Sequence, residues 1–210
     1  MTKFEKIKKF PIIICFLTLF SFSSLYSRVG EEKSTLEIRL FRGGGIQYKE
    51  EQVVDRLQRG MPYIKFEEYF PTSCLVKVYF KTFDGRRPKP SEVENPRNLE
   101  GWDVHIVFYK GISMLEIYKK NQGISEFEIV HLLNLQSANS FWLKTNSKEL
   151  GEESPDSSFG FDMVRDDGKV RAKRLNASTL MIFSSDFDEG LARARREDLE
   201  EKAPESINGF

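Results

Sequence analysis

The sequence predicts an α+β fold: mainly an antiparallel β meander of about eight strands, with one early short helix and a charged C-terminal helix. Three observations lead there. Short segments in which apolar and polar residues alternate recur along the chain, as in Cys74-Leu75-Val76-Lys77-Val78. Turn signals such as Lys110-Gly111 and Asp167-Gly168 separate successive segments too closely for the helical crossovers of βαβ units. Helical spacing stands out in two places, one early and one at the end.

Leu36, Ile38 and Leu40 alternate with Glu37 and Arg39, which reads as a half-buried strand ended by Gly43-Gly44-Gly45. Between Tyr48 and Arg59 the spacing changes. Val53, Val54 and Leu57 recur at three and four residues among Glu50, Glu51, Asp55 and Arg56, and Gly60 with Pro62 stops this short amphipathic helix. Cys74, Val76, Val78 and Phe80 mark one face of the next strand, closed by Asp84-Gly85. Residues 84–101, with Pro88, Pro90 and Pro96 among charges, read as a long loop.

Trp102, Val104, Ile106 and Phe108 define a further strand, and Lys110-Gly111 turns it into another over Ile112 to Lys119. Phe127, Ile129, His131, Leu133 and Leu135 again sit at period two, so residues 125–136 read as a strand. Ser125 followed by Glu128 is also a capping-box pattern that could start a helix. A short strand around Phe141 and Trp142 precedes a polar loop over 145–158, the segment expected to be most mobile. Phe159, Phe161 and Met163 lead into a hairpin at Asp166-Asp167-Gly168-Lys169, Val170 to Leu175 returns, and Thr179 to Ser184 is the last strand. Asp188 to Lys202 carries opposite charges four apart, as in Glu189 and Arg193, and reads as a solvated helix docked by little more than Leu191, Ala194 and Leu199.

The chain has 210 residues, of which 40% are hydrophobic and 30% charged, and its 18 Phe, 7 Tyr and 2 Trp can build a core without disulfides or metals. This composition excludes disorder and collagen. Lys3, Lys6, Lys8 and Lys9 precede an apolar run from Phe10 to Phe22, followed by small residues. That order is a signal peptide over residues 1–27, too short in its apolar part to span a bilayer. A single α+β domain over 28–202 and a C-terminal tail over 203–210 follow. Cleavage would leave a mature chain of net charge about −3 in an oxidising compartment with one cysteine, Cys74, expected to fill core space.

No nucleophile elbow, P-loop, H-E-x-x-H or C-x-x-C is present, so no catalytic residue is assigned. No cofactor and no metal are expected. Asp186 and Asp188 read as the cap and dipole partners of the last helix, and the glycine triplet as a flexible turn without phosphate. Arg193, Arg195 and Arg196 are neutralised by Glu197, Asp198, Glu200 and Glu201, and the overall balance is near zero, which argues against nucleic acid as a partner. His105 and Asp103 share the face opposite Trp102 and read as solvated. His131 falls by period between Ile129 and Leu133, either as a core histidine or lining a pocket. The ligand-pocket candidates are therefore His131, Phe127, Ile129 and Leu133.

The order strand, short helix, antiparallel strands, terminal helix resembles the helix-grip arrangement of START-like lipid-binding domains, with Gly101 to Lys110 and Gly168 to Thr179 in corresponding places. The likeness is one of topology and transfers no residue role. It implies a carrier of an apolar small molecule or lipid, held between sheet and helix. The residues themselves point first to an exported, non-enzymatic interaction or structural protein of the bacterial cell envelope, periplasmic or extracellular. An envelope protein or an apolar small molecule is the expected partner, with no stable membrane span after cleavage.

Overall fold

A computed structural model of the chain describes residues 29–89, 92–93, 100–145 and 157–203. The segment expected to be a signal peptide, most of the 145–158 loop and all but the first residue of the expected tail lie outside the described residues. Among the described residues eight strands form one antiparallel sheet: β1 (Ile46–Gln47), β2 (Cys74–Thr82), β3 (Gly101–Tyr109), β4 (Ile112–Lys120), β5 (Trp142–Lys144), β6 (Met163–Arg165), β7 (Val170–Asn176) and β8 (Thr179–Ser184). Their spatial order is β1-β2-β3-β4-β8-β7-β6-β5. Two four-stranded meanders are thus joined along β4 and β8, where Leu115 pairs with Phe183 and Ile117 with Met181.

Helices cover both faces. On one lie α1 (Lys33–Arg42) and α3 (Glu126–Leu135), whose Leu36, Ile129, Leu132 and Leu133 pack on Tyr79, Val104, Ile106, Tyr118, Leu180 and Ile182. On the other, a 3₁₀ segment (Pro62–Tyr69) and α4 (Ser185–Glu201) place Tyr63, Phe66, Phe187 and Leu191 on Val107, Leu115, Ile117, Met181 and Phe183. Between them in sequence, α2 (Glu51–Gln58) covers Val78 and Phe80. A sheet with both faces covered needs apolar residues at successive positions, which is why β8 reads Leu-Met-Ile-Phe with all four buried. A sheet curled around a single terminal helix, the arrangement suggested by element order, is not the one observed.

Two expected strands are helices. Over Leu36 to Leu40, five residues fit either period, and tertiary packing decides: Leu36 is buried and Leu40 packs against the core four residues on, while Ile38 faces outward. Arg39 and Arg42 suit the negative end of the helix dipole, and Gly43 ends it. Over 125–136 the capping box prevails. The Glu128 backbone N–H donates to Ser125 Oγ at 3.3 Å, and the Ser125 N–H donates to Glu128 Oε2 at 2.9 Å. Ile129, Leu132 and Leu133 then form the buried stripe at helical spacing.

Two smaller expectations also change. His105 is completely buried, because its strand face lies under the 3₁₀ segment instead of water. The last helix starts at Ser185, three residues earlier than expected, which brings Phe187 into the core beside Leu191. Asp188 holds it further. Its carboxylate accepts from Ser157 Oγ (2.6 Å), the Ser158 and Phe159 amides (2.8 and 3.0 Å) and the Arg171 guanidinium (2.9 Å). Leu199, expected to dock, is exposed.

Candidate binding groove

The outward side of α3 is unusual for a surface helix. Its inner stripe is satisfied by the core, yet Phe127, Val130 and Leu135 remain exposed on the outside, with His131 among them. An amphipathic helix normally gives that side to polar residues. Phe127, His131 and Leu135 follow one another at intervals of four, so they form a single ridge.

Across from this ridge stands the C-terminal end of α1, contributing Arg39 and Leu40. The sheet lies between them, with Trp102 and Val104 from β3 and Tyr118 from β4. Lys81 and Thr82, the last residues of β2, and Phe83 just beyond complete a groove of about 280 Å³. Phe127 and Phe83, both on the lining, are 81% and 66% exposed. These are large values for phenylalanines, whose side chains gain about 1.5–3 kcal/mol on full burial.

The charges in and around the groove divide into paired and unpaired. Lys120 donates to Glu128 at 2.6 Å, and its ammonium also lies 5.1 Å from the Phe83 ring centre and 5.3 Å from that of Trp102. Burial alone would raise the Glu128 carboxyl, but Lys120 and the Ser125 donors outweigh it and hold the group below its usual range. Arg39 is paired with Glu31. Lys81 is half-buried, and among the described residues it has neither a hydrogen-bond partner nor a carboxylate. A Cβ built on Gly43 would come 3.2 Å from its Nζ, which puts the ammonium beside the carbonyl end of α1. His131 is likewise without a partner among them.

Of the four pocket candidates, Phe127 and His131 line the groove, whereas Ile129 and Leu133 lie beneath the helix in the core. The sequence reading missed Lys81, Phe83 and Trp102 as members of one site. Taking Ser125 and Glu128 as a helix start would have exposed the ridge of Phe127, His131 and Leu135. The sheet residues opposite it become visible only through the strand order.

A second cavity of about 570 Å³ lies between the 3₁₀ segment, α4 and β7. It is lined in part by Lys65, Lys173 and Arg195, but Lys173 donates to the Phe159 carbonyl at 2.7 Å and Arg195 stacks over Phe66. Two of its cations are thus already engaged in holding the fold. Among the described residues no three His, Cys, Asp or Glu side chains converge as a metal site, and no helix is long and apolar enough to cross a membrane. Comparison with known proteins matches this chain to no family model, no curated protein and no solved structure, so the groove's own chemistry carries the functional reading.

Proposed function

We propose that the chain is an exported, non-enzymatic binding protein of the bacterial cell envelope, and that the groove between α1 and α3 receives its partner. One observation carries the proposal: α3 keeps Phe127, Val130 and Leu135 exposed on its outer side although its inner side is already apolar, and the ridge of Phe127, His131 and Leu135 borders a concave, aromatic-lined space. Apolar clefts with a few polar groups are the usual form of a binding site. The groove stands just below the ordinary range of ligand-pocket volumes, which suits the insertion of one apolar group or short chain. The Lys-rich, apolar, small-residue order of residues 1–27 supports export.

Trp102 and Trp142 are the only tryptophans, so Trp142→Phe leaves Trp102 as a reporter in the groove. Titration of that variant with the neutral probe N-phenyl-1-naphthylamine should change Trp102 emission saturably. His131→Trp should fill the space and abolish probe binding while the protein stays folded. Absence of a saturable site overturns the reading. For export, N-terminal sequencing of the chain from the envelope fraction should find a start between Ser24 and Gly30, whereas an intact chain retained in the cytoplasm would count against it.

A further inference from the structure

Resting on the groove as the binding site, we infer that its ligand is a small apolar monocarboxylate, with the hydrocarbon laid over Trp102 between Phe83 and Phe127 and the carboxylate on Lys81. The charge balance leads there. Glu31 and Glu128 already neutralise Arg39 and Lys120, so neither cation is available without breaking an existing pair. Lys81 alone among the groove's Lys and Arg side chains has no anion among the described residues. A half-buried ammonium gains from an opposite charge in proportion to how far water is excluded, so filling the groove with hydrocarbon strengthens its attraction for an anion.

One cation without an anion among the described residues fits one negative charge. A phosphate monoester would bring a second charge beside Glu128 with nothing to balance it, and a cationic amphiphile would meet Lys81 directly. His131, on the ridge, has ring nitrogens free among the described residues and can donate the second hydrogen bond that a carboxylate accepts. The volume sets the size. About 280 Å³ holds roughly nine water-sized groups, the scale of a medium-length acyl chain and short of a whole membrane lipid.

The test uses ligands of one chain length and different heads: decanoate, 1-decanol and decyltrimethylammonium, titrated at pH 8 against the Trp142→Phe chain. Decanoate should bind at least tenfold more tightly than decanol, and the ammonium compound most weakly. Lys81→Met should reduce decanoate to the decanol level while leaving decanol affinity and thermal midpoint unchanged, and Lys81→Arg should keep the preference. Equal, saturable binding of decanoate and decanol overturns the carboxylate assignment and leaves the groove reading standing. If N-phenyl-1-naphthylamine and all three ligands fail to bind, the groove reading itself is lost. A short peptide with a free C-terminal phenylalanine that binds tenfold more tightly than decanoate would replace the small molecule with a protein chain end.

Discussion

Tyr63 Oη and His105 Nδ1 stand 3.0 Å apart beneath the 3₁₀ segment, and both side chains are completely shut off from water. Nε2 of the same imidazole has no hydrogen-bond partner among the described residues. Burial, and secondarily the charge of Lys119, holds His105 down to about 4. The ring is therefore neutral in the folded protein at neutral pH, and protonating it means charging a group that cannot be hydrated.

The pH dependence follows from that relationship. His105 binds its proton less readily in the folded chain than in the unfolded one, so its contribution to stability is complete above pH 6.5 and is lost as pH falls toward 4. The expected loss is about 3 kcal/mol across that window. Urea denaturation at a series of pH values should show this decline, and His105→Asn should flatten it. A decline of full size in the variant would assign it to other groups.

Asp188 is the second polar group on which the interior depends. Burial pushes its carboxyl upward while Ser157, the Phe159 amide and Arg171 pull the other way. Asp188→Ala removes the acceptor for four donors, leaves the half-buried Arg171 with Glu189 as its remaining counter-charge, and should cost about 3–5 kcal/mol. Asp188→Leu combined with Arg171→Leu should recover part of that loss, because no charge is then left in the interior and Glu189, which loses its arginine, is open to water. Thermal denaturation of the single and double variants checks both statements.

At Gly101 a side chain has nowhere to go. A Cβ there would lie 2.3 Å from the Lys81 carbonyl oxygen and 2.6 Å from Phe80 Cζ, so β2 and β3 would have to separate next to Trp102. Gly101→Ala should lose about 2–3 kcal/mol and shift the Trp102 emission. Gly168 is the contrast, since its positive φ of 73° is the only obstacle in otherwise open space. Gly168→Ala should cost about 1 kcal/mol through backbone conformation alone.

Cys74 is half-buried and free, packed against the core on the 3₁₀ side of the sheet, and burial pushes its thiol up to about 11. At pH 7.5 it is protonated and should react slowly with a thiol reagent, at the ordinary rate once the chain is unfolded. Cys74→Ala should fold with a loss of about 1–2 kcal/mol.

Where apolar residues alternate in long hairpin-linked runs, the sequence and the structure agree closely: β2, β3, β4, β7 and β8 all fall where periodicity puts them. The disagreements have a common cause. In Leu36-Ile38-Leu40 and Phe127-Ile129-His131-Leu133-Leu135, apolar residues fit period two and helical spacing together, and only the covering partner decides. The exposure of Phe127 and His131 follows from that decision, as does the burial of Ile129 and Leu133. His105 departs from its expected solvated face for a different reason, since assigning a strand face to solvent presumes an uncovered sheet. The pairing of β4 with β8, which sets Tyr118 beside Leu180, leaves no local mark at all.

That pairing also bears on how the chain acquires its structure. The two strands at the middle of the sheet come from distant parts of the sequence, with α3 and the other three strands of the second meander between them. Closing so long a loop has an entropic cost that is met before the contacts return anything, so folding should be slow and should depend on the last strand. A nascent or translocating chain that lacks Thr179–Ser184 has no edge on which to complete β4, and its central apolar residues stay open to water or to a chaperone. The fold therefore delays its own closure until its last strand has emerged.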